Sequence, residues 1–238
     1  MHLTILYDNQ SIDEKFQSGW GFSCLVGDDI LFDTGEAPEP LFRNMRYLGV
    51  RPADVRAVVI SHNHWDHTGG LWELLKRNPG LDVYACPGFG LEFRDKVVTF
   101  NGRLIESVSF RKIFSTGAVT GEIPARYKGA PMPEQALIVE SARGLAVVTG
   151  CSHPGIVRIV EAVKREFPAR PITHVLGGFH LMDKSVREIR SVVGRMHALG
   201  VQSVGPTHCT GNQAKRIFQE TYGDQVLPVA AGARLELT

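Results

Sequence analysis

Residues 55–70 read VRAVVISHNHWDHTGG, an apolar, β-branched run followed by an unusual density of donors. Three of the chain's nine histidines and one aspartate fall within the six positions 62–67. The apolar run reads as a buried strand. In extended backbone, residues two apart project to the same side, so His62 and His64 face one cation. Asp66 and His67 follow as the chain turns, and they point at a second position beside the first. Imidazole mixed with carboxylate suits borderline-soft divalent ions such as zinc. Gly69 and Gly70 then allow a tight turn into a helix at Leu71. A polar loop rich in histidine by chance is the competing reading, and the density of the cluster argues against it.

The arrangement recurs three times. An apolar run at 145–149 leads through Gly150, Cys151 and Ser152 to His153. A second at 172–176 leads through Gly177, Gly178 and Phe179 to His180. A third at 201–204 leads through Gly205, Pro206 and Thr207 to His208. Loops at strand ends are where rigid scaffolds carry chemistry. The candidate metal ligands are therefore His62, His64, Asp66, His67, His153, His180 and His208. His2, His174 and His197 lack this setting and read as structural. Cys151 and Cys209 stand beside ligand positions, but small buried packing is the preferred reading over thiolate ligation.

Strand candidates fall at 2–7, 22–26, 30–33, 55–60, 82–85, 136–140, 145–149, 172–175, 201–204 and 234–237. Helix candidates fall at 38–48, 71–77, 155–167, 184–199 and 213–222. Ile156, Ile159, Val160, Val163 and Phe167 form one apolar stripe. Early strands come in adjacent pairs and later ones alternate with helices. This predicts an α/β fold with two sheets and outer helices, an αβ/βα four-layer sandwich. One domain over 1–238 is expected, with a loop-rich insertion at about 86–134. Arg94, Lys96, Arg103, Arg111, Lys112, Arg126 and Lys128 lie in it with Phe89, Phe93 and Tyr127. That set can hold a phosphate and a flat heterocycle, or can simply be a solvated surface.

A net charge of +1 over 238 residues gives no footprint for nucleic acid. No apolar run approaches the ~20 residues that span a bilayer, so no membrane partner is expected. The first ten residues read as a strand and not a signal peptide. Four cysteines without a CxxC pair suit a reducing compartment, and a cytoplasmic location is the expectation.

The HxHxDH motif after a strand, with Phe32-Asp33-Thr34-Gly35 before it and His153 and His208 after it, resembles the metallo-β-lactamase superfamily. The matching motifs run from Asp33 to His208. The resemblance implies the metallo-β-lactamase fold and one or two divalent ions, zinc first, with manganese or magnesium as alternatives. It implies one ion on His62, His64 and His153 and the other on Asp66, His67 and His208. Asp33 matches a buried carboxylate that orients the metal loop from behind. One position departs: His180 stands where most members carry an aspartate bridging both ions. A neutral imidazole does not bridge, so the second ion is expected to bind more weakly. Asp183 is read as a helix cap and not as a replacement ligand.

EQALIVE (134–140), GLAVVTGCSHPGI (144–156), GGFHL (177–181) and PTHCTG (206–211) resemble the branch of dihydropterin–ribofuranosylaminobenzene 5′-phosphate synthases. That branch implies coupling of a dihydropterin diphosphate to an aryl amine with release of diphosphate. The expected function is thus a metal-dependent transferase or hydrolase of a small phosphorylated or pterin-like substrate, with Asp66 and His180 at the chemistry. The alternatives are a hydrolase of an ester, thioester or phosphoester, a nuclease, and a non-enzymatic metal- or ligand-binding module. Phe179 and Trp65 are candidate pocket walls.

Overall fold

The computed structural model describes residues 1–115 and 117–237. Its first part runs β1 (His2–Tyr7), β2 (Ser23–Val26), β3 (Ile30–Phe32), α1 (Pro38–Tyr47), β4 (Ala57–Val59), α2 (Trp65–Thr68), α3 (Leu71–Arg77), β5 (Asp82–Ala85), α4 (Gly90–Thr99) and β6 (Arg103–Glu106). There follow β7 (Arg111–Phe114), β8 (Gly117–Val119), β9 (Arg126–Tyr127), β10 (Ala130–Pro131), β11 (Leu137–Glu140) and β12 (Leu145–Thr149). The last part runs α5 (Ile156–Glu166), β13 (Ile172–Gly178), α6 (Val186–Ala198), β14 (Ser203–Thr207), α7 (Asn212–Tyr222) and β15 (Arg234–Glu236).

Among the described residues, one sheet has the order β15-β1-β2-β3-β4-β5-β6 and a second has β14-β13-β12-β11-β8-β7. Alternation along each strand builds the layers. On β4, Ala57 and Val59 face the other sheet while Val58 faces outward. On β12, Ala146 and Val148 face inward while Leu145 and Val147 face outward. Helices α1, α3 and α4 cover the outer face of the first sheet through Leu41, Leu74 and Val97. Helices α5, α6 and α7 cover the second through Val160, Val193 and Phe218. This is the α/β four-layer sandwich that the pattern predicts. Gln135 ties the sheets together by donating its amide to the carbonyls of Ile60 and Tyr84, at 2.8 and 3.0 Å.

Strands β3 to β6 are mutually parallel, and so are β12 to β14. Each His-bearing loop leaves the C-terminal end of such a strand. The segment 86–134 carries more regular structure than its pattern suggests. It supplies α4 and β6 to the first sheet's side, β7 and β8 to the second sheet's edge, and a β9–β10 hairpin. Helix α4 escapes a periodicity search because it buries only Phe93 and Val97. Helix α6 is capped by Ser185 in a reciprocal pair with Glu188, so Asp183 is not its cap. Serine took that place because its hydroxyl reaches the Glu188 backbone N–H.

Candidate metal centre

Asp33 sits just past β3 with φ +54°, a left-handed conformation that aspartate tolerates better than most residues. The Ser61 N–H donates to its Oδ1 at 2.7 Å, and the Ser61 hydroxyl donates to Oδ2 at 2.7 Å. His67 Nδ1 donates to the same Oδ2 at 2.7 Å. With the Ser61 proton committed, its oxygen accepts from His62 Nδ1 at 2.9 Å. Asp33, Ser61, His62 and His67 are all fully buried. The chain of donors turns Nε2 of both His62 and His67 away from the Asp33 network, where His62 has a free lone pair and His67 gains one when a cation displaces its proton. Gly150 packs against this network so closely that a Cβ there would lie 2.0 Å from Ser61 Oγ.

On the opposite side, Glu134 performs a role that the sequence reading did not assign. Its two oxygens accept the backbone N–H groups of Cys151, Ser152 and His153 at 3.0, 2.8 and 2.7 Å. This grip holds the loop through Ser152, whose φ is +62°. Burial raises the Glu134 carboxyl to about 7, against the pull of those backbone donors. Asn9 is a second omission. Its Oδ1 accepts from His208 Nδ1 at 3.0 Å, which turns Nε2 of His208 toward Asp66. Next to it, buried Asp8 accepts the Thr207 hydroxyl at 2.6 Å, fastening the end of β14 to the end of β1. The available signal was an Asp-Asn pair at the end of a strand, the same setting as Asp33.

These supports converge seven histidine and aspartate donors and one sulfur. His62, His64 and His153 present ring nitrogens within 4.8 Å of one another, and so do the donor atoms of Asp66, His67, Cys151 and His208. Cys151 also groups with His153 and His180. His62 Nε2 and His64 Nδ1 stand 3.1 Å apart. Two lone pairs at that separation repel unless a proton or a cation lies between them. His153 Nε2, His180 Nδ1 and His208 Nε2 are buried with no hydrogen-bond partner. Orphaned acceptors of this kind cost free energy when dry, and a cation in each donor group satisfies them. The donor set fits one or two divalent ions.

The electrostatics agree with a site made for positive charge. Burial disfavours charge on His67, yet Asp33, then Asp66 and Glu134, raise it to about 9. Burial, then His180 and His64, push His153 down to about 3. Burial opposes the charge on Asp66, but His208 and His67 hold its carboxyl well below the usual range. His180 is raised mainly by its hydrogen bond to the Cys209 sulfur.

His2, His174 and His197, read as structural, lie outside every donor group, with His174 bonded to Thr173 at 2.9 Å. Several candidates fall elsewhere. Trp65 is 61 % exposed, while Phe179 packs on Phe218 and also lines the cavity beside His153 and His180. Arg94, Arg103 and Lys112 pair with Glu106, Asp82 and Glu140. Lys96 lies over Trp72, and Phe89 and Phe93 stack on each other in the core. These form a solvated or packed surface because each cation has a local partner. Arg126 and Tyr127 do reach the centre: the Tyr127 ring lies 5.0 Å from His153 and 5.5 Å from His180. Beside them opens a cavity of about 430 Å³ with Arg126, Arg158, Lys184 and Arg195 on its wall and His153 and His180 at one side. A larger groove of about 770 Å³ over α1 and α3 contains none of the candidate ligands.

With this geometry in place, comparison with known proteins is decisive for the family. Residues 24–166 match the model of the metallo-β-lactamase superfamily. The chain belongs to that superfamily. A solved metal-dependent hydrolase of the β-lactamase superfamily is 30% identical, with a TM-score of 0.85 over 100% of this chain and 99% of that one. The 7,8-dihydropterin-6-methyl-4-(β-D-ribofuranosyl)-aminobenzene-5′-phosphate synthase of Methanocaldococcus jannaschii is 28% identical over 96% of this chain and 94% of its own. An uncharacterised protein of the same organism is 29% identical over 89% and 91%. Superfamily membership makes this chain a metal-dependent enzyme fold with candidate ligands in place. Among the described residues no helix is long and apolar enough to cross a membrane.

Proposed function

We propose that this protein couples a dihydropterin diphosphate to an aryl amine phosphate and releases diphosphate. The observation that carries the reading is the end-to-end similarity to the M. jannaschii synthase. The His180 cavity supports it. Arg126 and Arg158 bring positive charge to its wall beside Lys184 and Arg195, which pair with Glu188 and Glu161, and the Tyr127 ring offers a flat face beside the histidines. An anionic substrate with a planar heterocycle matches both.

In this reading His62, His64 and His153 hold one ion, and Asp66, His67 and His208 hold the other, with zinc preferred for the imidazole-rich donor set. Bound divalent ions supply positive charge against the departing diphosphate, or acidify water if the reaction is hydrolysis. Asp33 and Asn9 fix the ring orientations. His180 lies on the substrate side of the centre, where it contacts the leaving group. Four unpaired cysteines are consistent with a reducing, cytoplasmic setting.

A second reading, hydrolysis of an ester, thioester or phosphoester, is favoured by the metal-dependent hydrolase at 30% identity. One experiment separates them. The metal-loaded protein is incubated with a 7,8-dihydropterin-6-ylmethyl diphosphate, with and without 4-(β-D-ribofuranosyl)aminobenzene 5′-phosphate. Coupling predicts diphosphate release only when both are present. Release with the pterin alone, or turnover of a simple ester, overturns coupling in favour of hydrolysis.

A further inference from the structure

His180 in place of a bridging carboxylate leaves the second half of the centre short of one anionic donor. Asp66, His67 and His208 make three ligands, and nothing in the sequence motif supplies a fourth. The structure places a sulfur there. Cys151 Sγ lies 3.4 Å from His67 Nε2 and is 3% exposed. Its sulfur, the Asp66 carboxylate and the facing nitrogens of His67 and His208 all lie within 4.8 Å of one another.

The separations can be compared with what a tetrahedral ion demands. With metal–sulfur near 2.3 Å and metal–nitrogen near 2.0 Å, adjacent S and N ligands stand about 3.5 Å apart and N/O pairs about 3.3 Å. The observed distances are 3.4 Å for Cys151–His67, 3.2 Å for Asp66–His208 and 3.8 Å for Asp66–His67. His208 Nε2 is buried and, turned by Asn9, faces only the Asp66 carboxylate among its near polar neighbours, in this same space. The Cys151 backbone is not free to swing away, since its N–H is held by Glu134. Cys209 differs: its sulfur is engaged with His180 and with the Cys151 carbonyl, 3.7 Å away, and joins none of the donor groups, including the one formed by Asp66, His67 and His208.

We propose that Cys151 is the fourth ligand of the second ion, a thiolate that replaces the missing carboxylate. This rests on the metal-centre reading above, and it departs from the expectation that Cys151 is a packing residue. On binding, the Sγ–H bond gives way to an Sγ–metal bond and the proton leaves to solvent. The second site is then an Asp-His-His-Cys site of mixed O, N and S donors. A soft sulfur shifts its preference toward zinc and cobalt and away from magnesium or manganese.

The test uses the metal-depleted protein refilled with cobalt(II), read by electronic absorption, with no substrate present. The wild-type protein is expected to bind two cobalt ions and show a sulfur-to-cobalt charge-transfer band in the near ultraviolet. Cys151→Ser is expected to lose the band and bind the second ion at least tenfold more weakly, while Cys209→Ser keeps both. If Cys151→Ser does not fold, the wild-type spectrum still decides. Two bound cobalt ions without the band overturn the proposal. So does a band that survives Cys151→Ser or disappears in Cys209→Ser, or a protein that takes only one ion and shows no band. Because no substrate is used, a protein with the band but no coupling activity fails only the reaction proposed above.

Discussion

His62 and His67 come from the loop after β4, and His153 and His180 from loops after β12 and β13, and the two pairs are held by different means. The first pair is fixed through its rings. Asp33 and Ser61 occupy both Nδ1 atoms, and all four side chains are fully buried. The second pair is fixed chiefly through its backbone. Glu134 grips the loop before His153, while φ values of +62° at Ser152 and +49° at His180 aim the side chains. These rings are partly exposed and form one side of the cationic cavity. Under the function proposed above, the difference divides the labour: one side retains metal, and the other presents it to a substrate.

Removing the ring supports should therefore do the most damage. Asp33→Ala leaves the Ser61 N–H, the Ser61 hydroxyl and His67 Nδ1 without their acceptor. At ~1–3 kcal/mol for each buried unsatisfied group, the loss is roughly 3 kcal/mol or more. Denaturant unfolding is expected to show that loss, and elemental analysis to show less than one metal per chain. A variant that keeps two ions and full stability removes the contrast between the two sides.

A backbone support should cost less. Glu134→Gln keeps one acceptor oxygen but turns an NH₂ toward backbone donors, costing ~1–3 kcal/mol. Since the gripped loop carries both His153 and Cys151, metal titration is expected to show both ions weakened. Weakening of the first ion alone would count against the Cys151 assignment. No change in either ion breaks the backbone half of the comparison.

Asn9 tests whether ring support also matters on the second sheet. Asn9→Ala frees His208 Nδ1 and is expected to cost ~10–100-fold in second-ion affinity, the usual effect of losing a partner behind a metal-bound histidine. The first ion, 62/64/153, is expected to hold its affinity in the same titration. A parallel loss of both points to a shift of the β1 end and not to His208 alone.

What the sequence shows of this centre follows from how each residue is recognised. His62, His64, His67, His153 and His208 announce themselves because several imidazoles at strand ends are uncommon and their spacing is local. The four-layer fold is legible for the same reason, since period-two alternation and helical stripes are short-range patterns. The supports are not legible. Glu134, Asn9 and Asp8 are ordinary polar residues whose roles depend on partners 17 to 199 positions away. Cys151 was visible, but only the fold shows that its sulfur joins Asp66, His67 and His208 while that of Cys209 turns to His180. The cations of 94–112 illustrate the converse, a suggestive local set that the fold spends on surface pairs.

The smallest effect concerns His180. Its φ of +49° is a conformation in which aspartate is enriched, so His180→Asp is compatible with the backbone. If the centre lacks an anionic bridge, the new carboxylate should tighten the second ion by a hundredfold or more. If Cys151 already supplies that charge, the gain is expected to stay below about tenfold, or roughly 1.4 kcal/mol. Isothermal titration with zinc distinguishes the two. Turnover is expected to fall in either case, because a carboxylate facing the cavity repels an anionic leaving group and removes the His180 contact with it. A large gain in affinity would sink the Cys151 assignment. A small gain with poorer turnover identifies His180 as part of the substrate-facing side, where an uncharged or cationic ring tolerates phosphate better than a carboxylate does.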